Sequence, residues 1–256
     1  RGGGGGGAGG PPALAGGIGA PAPGARPAGG GARAGADFAA LDPRLRGRAE
    51  LSREYADHID PDRDPYEVLF EEYEPCLALE HAERVLDEQT ETIVPLVEAV
   101  RASDVEPASP FDGRYPAEAQ SAMVRDALDL LGYPWERGRL DEAPHPFSTG
   151  SVYDARVTTR YDESAPLSAL TSTVHEFGHA TYTLGLPEAD YATPLGEARD
   201  LSVHESQSRL WENHVARSRP FLETFLPTMN DHLDTDPTAD AGYEAATRVH
   251  PDNVIR

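Results

Sequence analysis

Cysteine, lysine and long apolar runs are scarce or missing in this 256-residue sequence. Cys76 is the single cysteine, so no disulfide can form within the chain, which fits a reducing compartment. Because no run of 18 or more apolar residues is present, the sequence predicts no transmembrane helix and no membrane partner. The N-terminal segment also lacks the leucine-rich core of a secretion signal. We therefore expect a cytoplasmic protein.

Positive charge is carried by arginine alone. The 22 basic residues include no lysine and are outnumbered by 44 acidic residues, which gives a net charge of −22. This balance argues against a nucleic-acid partner and against anionic membranes, because both need positive side chains. One interpretation is a halophilic protein from a salt-rich cytoplasm, where the Debye length falls to about 3 Å at 1 M salt. The alternative is an ordinary acidic protein encoded in a GC-rich genome, which also favours arginine.

The composition changes near residue 37. Residues 1–36 are almost entirely Gly, Ala, Pro and Arg and cannot bury an apolar core. We expect them to form a flexible tail or to be an artefact of where the reading frame was opened. Residues 37–256 are expected to form one sizeable domain. Because the sequence starts at Arg1 instead of Met, we interpret it as a fragment of a longer chain.

Helical periodicity dominates the sequence after residue 37, and it predicts a mainly helical protein. Residues 116–132 and 164–184 each read as one helix, and residues 201–219 read as another that stops at Pro220. The expected buried side of the first of these helices consists of Ala119, Met123, Ala127 and Leu130. Residues 150–161 differ, because β-branched and aromatic residues partly alternate there and predict one or two short strands.

The helix over 164–184 contains the sequence HEFGH at 175–179. Positions i and i+4 share a helix face, so His175 and His179 could present two imidazole nitrogens to one Zn²⁺. Glu176 could then accept a proton from a metal-bound water, with Gly178 leaving room beside the metal and Phe177 facing the core. The alternative interpretation is a helix with two hydrogen-bonded core histidines.

A catalytic zinc needs a third protein ligand as well as an open position. The segment after HEFGH offers four candidates: Glu197, Asp200, His204 and Glu205. Glu205 lies among small and polar neighbours that suit a ligand, although an ion pair with Arg209 would equally explain it. Spacing alone leaves the choice between these residues open.

Four segments together show a family resemblance: HPFSTG at 145–150, DARVTTRY at 154–161, HEFGH, and HESQSRLWEN at 204–213. In this order they resemble the carboxypeptidase Taq family of zinc metallocarboxypeptidases. The resemblance extends over about 37–256, and HESQSRLWEN is far more specific than HEFGH alone. It implies a mainly α fold, with a long cleft and a small β-sheet next to the metal on the HExxH helix.

The resemblance also implies roles for individual residues. His175, His179 and Glu205 match the family's metal ligands, and Glu176 matches its general base, which leaves Glu197 outside the ligand set. The implied cofactor is one Zn²⁺ per chain, with Co²⁺ or Mn²⁺ as alternatives. The implied activity is release of C-terminal residues from peptide substrates with broad specificity, by a homodimer when full length.

Two residues are candidates for substrate recognition. Arg256 ends the sequence NVIR, which resembles a family segment whose arginine binds the terminal carboxylate, a group suited to bidentate hydrogen bonds. His145 is a second candidate for the cleft, or else an ordinary loop histidine. The family's C-terminal half is expected to follow Arg256. Two alternatives remain: an endopeptidase or oligopeptidase with the same HEFGH core, and an inactive truncated remnant.

Overall fold

The computed structural model describes residues 38–106 and 108–249. The predicted low-complexity segment 1–36 and the candidate substrate-binding residue Arg256 lie outside these ranges. The described residues divide into two compact units, one that ends at Val94 and one that begins at Pro95. None of the helices in the described part of the chain combines the length and apolarity needed to span a bilayer.

The first unit is helical. It contains α1 (Phe38–Ile59), α2 (Pro65–Tyr73) and the greater part of α3 (Leu79–Arg101). Helix α2 begins where Asp64 accepts a hydrogen bond from the backbone N–H of Tyr66, with Pro65 in the first turn, where its missing N–H costs nothing. The hydroxyl of Tyr55 in α1 donates to Glu72 in α2 at 2.6 Å, so a partly buried polar contact joins the two helices.

The second unit carries the helices that contain the predicted site. They are α4 (Ala117–Leu131), α5 (Pro166–Leu184), α6 (Leu201–Arg209), a π-helical segment (Leu210–Ala216), α7 (Arg219–Leu233) and α8 (Ala239–Ala246). The single helix predicted over 201–219 is therefore wrong in two respects. The observed helix changes to π-helical geometry at Leu210. Pro220 does not end a helix but lies in the first turn of α7, which Ser218 caps. Proline is favoured in a first turn, so its presence marks a start as readily as a stop.

A small sheet accompanies these helices. Its strands are β1 (Gly138–Glu142), β2 (Ser148–Ser151) and β3 (Asp154–Thr159), in the order β1-β3-β2. The antiparallel pair β2–β3 confirms the prediction of one or two short strands over 150–161, with β2 beginning two residues earlier, at Ser148. Strand β1 pairs with β3 in parallel and was not predicted, because the sequence GRLDE carries no β-branched residue.

The core of the second unit forms where α4, α5 and α7 pack together. On α4 the buried face includes Met123 and Ala127 as predicted, but Val124 and Leu128 complete it, and Leu130 is 50% exposed. The sheet packs on α5, where the hydroxyl of Thr173 donates to that of Thr159 in β3 at 2.9 Å. The mainly α fold with a small sheet beside the HEFGH helix is thus confirmed.

Candidate metal centre

Helix α5 places His175 and His179 on one face. Their ring centroids lie 4.9 Å apart, and both side chains are only partly exposed. The opposite face is fixed in the core, because Phe177 is 1% exposed and packs edge-on against Trp211 at 4.8 Å between ring centroids. The burial of Phe177 on one side of α5 therefore fixes which side of the helix carries the two histidines.

Gly178 brings α6 against α5. A Cβ atom at this position would lie 2.6 Å from Cα of Ser208 and 2.7 Å from the carbonyl oxygen of Gln207. The expectation that Gly178 leaves room beside the metal is wrong, because the space that a side chain would occupy is filled by the backbone of α6. The glycine instead allows the two helices to approach closely at the level of the histidines.

Glu205 on α6 faces both histidines. Its Oε2 atom lies 3.3 Å from Nε2 of His179 and 3.6 Å from Nε2 of His175, and the three atoms lie within 4.8 Å of one another. Separations of this size suit ligand atoms that share one tetrahedral ion at about 2.0–2.2 Å each. The other oxygen, Oε1, accepts a hydrogen bond from Nε of Arg209 at 2.8 Å. Two imidazoles and a carboxylate therefore fit a divalent metal such as zinc.

Glu212, in the π-helical segment, lies behind His175. Its Oε2 is 2.9 Å from Nδ1 of His175 and 3.2 Å from Nη1 of Arg209, and its Oε1 accepts from Arg217 at 2.9 Å. Burial alone would raise the pKa of Glu212, but the hydrogen bonds from His175 and Arg217 outweigh burial and lower that pKa to about 2. The carboxylate is thus ionised and accepts hydrogen bonds only.

His179 has different surroundings. Burial, with smaller contributions from His204 and His175, lowers the pKa of His179 to about 4. The ring therefore stays neutral at physiological pH, which is the form that binds a metal. Its Nδ1 atom is buried and has no hydrogen bond of ordinary geometry within the described residues, although the backbone of His204 lies near enough to the ring to raise its pKa slightly. The ring packs edge-on against His204, with 4.5 Å between centroids.

Glu176 lies in the same turn as His175 and is 6% exposed. Burial raises the pKa of Glu176 to about 7, an effect that His175 and the nearby Ser148 hydroxyl of β2 partly offset. A carboxylate with a pKa near neutrality is suited to accept and return a proton. The sheet contributes to the site through this contact with β2.

The structure separates the four candidates for the third ligand. Asp200 caps α6, because its Oδ1 accepts from the backbone N–H of Val203 at 2.7 Å. Glu197 is exposed in the loop before α6, and His204 packs against His179 without joining the group of possible ligand atoms. Glu205 is the candidate that meets both histidines.

Neither of the residues with expected substrate roles is among those that form the candidate metal centre. His145 is exposed in the loop between β1 and β2, and Arg256 lies outside the described residues. Sequence reasoning assigned no role to Glu212, although HESQSRLWEN contains it. The available signal was its spacing of seven residues from Glu205, which is two helical turns and therefore the same side of a helix.

Comparison with known proteins decides the family. The model of the carboxypeptidase Taq (M32) metallopeptidase family matches residues 26–256. The chain belongs to this family. The resemblance described for the sequence is thus confirmed, and it extends over both units of the chain.

Relatives within the carboxypeptidase Taq family cover different shares of the chain. Carboxypeptidase 1 of Bacillus subtilis is 35% identical over 197 residues, which is 76% of this chain and 39% of that relative. Thermostable carboxypeptidase 1 of Thermus thermophilus is 40% identical over 164 residues, 63% of this chain and 32% of that relative. The crystal structure of the M32 carboxypeptidase from Deinococcus radiodurans superposes with a TM-score of 0.74 at 36% identity, covering 84% of this chain and 44% of that one. The chain therefore spans less than half the length of these relatives.

Proposed function

We propose that this chain is the metal-binding part of a metallocarboxypeptidase that releases C-terminal amino acids from peptides with broad specificity. The observation that carries the proposal is the convergence of three possible ligand atoms beside a buried carboxylate. His175, His179 and Glu205 supply the ligand atoms within 4.8 Å, and Glu176 follows the first of them on α5. Two curated family members are named carboxypeptidases, which supports the reaction class.

His175, His179 and Glu205 would hold the metal. We propose Zn²⁺, with Co²⁺ or Mn²⁺ as alternatives, because nitrogen ligands with one carboxylate suit zinc. When bound, such an ion supplies a Lewis acid that polarises a carbonyl group and makes a water molecule more acidic. The chain's own contribution is to hold the three ligands at fixed separations through α5 and α6.

Glu176 would act as the general base and then as the general acid. In the metal-free chain burial raises its pKa to about 7, and a carboxylate placed beside the metal ligands can take a proton from water and deliver it to the leaving amine. The low exposure of Glu176 keeps bulk water from competing for that proton. The Ser148 hydroxyl on β2 lies near enough to this carboxyl group to lower its pKa in part.

We assign recognition of the substrate's terminal carboxylate to Arg256 and place His145 in the substrate cleft. A guanidinium can bind a carboxylate through two parallel hydrogen bonds, which distinguishes a free C-terminus from an internal amide. Since the chain spans less than half of its relatives, further contacts to the substrate are expected from the rest of the family's length.

The test compares two peptides that differ only at the C-terminus. Purified protein reconstituted with Zn²⁺ is assayed on a peptide with a free carboxylate and on its C-terminal amide, with Glu176→Gln as the matched inactive variant. Release of single C-terminal residues from the free acid alone supports the carboxypeptidase. Equal cleavage of both peptides would indicate an endopeptidase or oligopeptidase. Metal binding without any hydrolysis would indicate an inactive remnant.

Three wider features are proposed from composition and family. Excess acidic charge supports a halophilic protein, which predicts higher activity at molar salt than at low salt. The single cysteine supports a cytoplasmic location. The family resemblance supports a homodimer for the full-length protein, which analytical ultracentrifugation measures directly.

A further inference from the structure

The two histidines of the metal centre differ at the nitrogen that faces away from Glu205. Nδ1 of His175 lies 2.9 Å from Oε2 of Glu212. Nδ1 of His179 is buried and lacks a hydrogen bond of ordinary geometry within the described residues. Glu212 can therefore fix the position of the proton on the ring of His175. It is not one of the three proposed metal ligands.

Glu212 is itself held in place. Arg217 donates to its Oε1 at 2.9 Å, and Arg209 donates to its Oε2 at 3.2 Å. Arg217 also donates to the carbonyl oxygen of Ala246 at the end of α8, which anchors the guanidinium outside the site. With the side chain of Glu212 only 13% exposed, its orientation depends on these neighbours instead of on water.

The contact fixes a tautomer. Because Arg209 and Arg217 donate to the two oxygens of Glu212, these oxygens act as acceptors, so Nδ1 of a neutral His175 must carry the hydrogen and Nε2 must carry the lone pair. That Nε2 atom is the one that faces Oε2 of Glu205 at 3.6 Å. We propose that Glu212 is a positioning residue, which holds His175 in the Nδ1–H tautomer and in the ring orientation that leaves Nε2 free for the metal.

The surroundings require a carboxylate at this position instead of an amide. In Glu212→Gln one oxygen becomes an NH₂ group, which is a donor. Because Arg217 and Arg209 donate to opposite oxygens, either orientation of the amide sets a donor against an arginine. One orientation also presents NH₂ to Nδ1 of His175, which favours the tautomer with its hydrogen on Nε2. Substitution of a residue that hydrogen-bonds to a metal-binding histidine typically lowers metal affinity by about 10–100-fold.

The inference rests on the proposed metal site, and its test uses no substrate. Zn²⁺ affinity is measured by competition with a fluorescent chelator for the unmodified protein, Glu212→Gln and Glu212→Asp. The tautomer of His175 is read from histidine ¹⁵N chemical shifts in the metal-free protein at a pH where the ring is neutral. Asp126→Asn is the matched control, because it breaks a 2.7 Å contact between His232 and a carboxylate on α4, away from the metal centre.

We expect about 10–100-fold weaker Zn²⁺ binding in Glu212→Gln, partial recovery in Glu212→Asp and no change in Asp126→Asn. Wild-type His175 should be in the Nδ1–H form, and Glu212→Gln should shift it toward the Nε2–H form. Unchanged affinity or an unchanged tautomer in Glu212→Gln overturns the inference. If Glu212→Gln does not fold, the unmodified protein still tests the inference, because an Nε2–H tautomer of His175 there would overturn it. Failure of the unmodified protein to bind Zn²⁺ would overturn the proposed function as well, so the two failures are distinguishable.

Discussion

The contact of Gly178 with α6 makes the sharpest prediction about the metal centre. In Gly178→Ala the new Cβ atom would lie 2.6 Å from Cα of Ser208, about 0.8 Å inside the shortest ordinary contact of 3.4 Å. The neighbouring atoms belong to the backbone of α6, including the carbonyl oxygen of Gln207 at 2.7 Å, so no rotation of a side chain can relieve the overlap. The two helices must therefore separate.

The size of the effect follows from two opposing contributions. Alanine is a better helix former than glycine by about 0.8–1 kcal/mol, whereas overpacking of a core typically costs about 1–3 kcal/mol. Because the obstacle here is backbone, we expect the upper part of that range and a net loss of about 1–2 kcal/mol in the free energy of unfolding. Metal affinity should fall more steeply, because ligand distances must hold within about 0.2 Å and Glu205 moves with α6.

The assay measures Zn²⁺ affinity and thermal unfolding of Gly178→Ala in parallel, with Gly47→Ala as the control. Gly47 lies in α1, and a Cβ atom there would have no atom within 4 Å, so this control should unfold at the same or a higher temperature. We expect at least a tenfold loss of affinity in Gly178→Ala and none in Gly47→Ala. Wild-type affinity in Gly178→Ala would refute the argument that close helix approach sets the position of Glu205.

Three further predictions concern the carboxylates. Glu176→Gln should keep wild-type Zn²⁺ affinity but lose about 10²–10⁴-fold in peptide hydrolysis, measured as kcat on a free-acid peptide. Glu205→Ala should weaken metal binding by more than the about 10–100-fold that is typical for loss of a residue hydrogen-bonded to a ligand. Glu197→Ala should bind the metal normally in the same titration. The reverse result would make Glu197 the ligand. Since the folded-state pKa of Glu176 is raised to about 7, this group reduces the stability of the metal-free protein progressively as pH rises from about 4.5 to 7. Glu176→Gln should therefore be the more stable form by up to about 3 kcal/mol above pH 7, and denaturant titrations that show no such gap would contradict the raised pKa.

Local patterns in the sequence were enough to predict the face of α5. The spacing of His175 and His179 predicted their shared side, and Phe177 between them lies in the core as expected. The same reasoning failed on α4, where Leu130 was assigned to the buried side and is half exposed. Apolar character alone does not identify the buried face, since the packing of α4 against α5 and α7 selects it.

Features that depend on contacts between distant segments could not be predicted. Strand β1 has weak β-propensity and forms because β3 offers it a parallel partner. The π-helical segment carries no proline or glycine that would announce it, yet it contains both Trp211, which packs on Phe177, and Glu212. Such segments are frequent at functional sites, because one extra residue per turn changes which side chains face a neighbour.

The three carboxylates around the histidines show how one residue type takes different roles. Burial acts on all of them in the same direction and favours the neutral form. Hydrogen bonds from His175 and Arg217 reverse this effect for Glu212, and the Ser208 hydroxyl with nearby positive groups reverses it for Glu205, so the pKa of each is lowered. Glu176 lacks an arginine partner among its main influences and feels the negative charges of the other two, so its pKa is raised to about 7. When the surroundings push the pKa values of neighbouring acids apart, the acid with the raised pKa is suited to proton transfer. The acids with lowered pKa values are suited to binding or positioning. The placement of Arg209 at the end of α6 and of Arg217 just after the π-helical segment, more than HEFGH itself, therefore decides which of the three glutamates has a raised pKa.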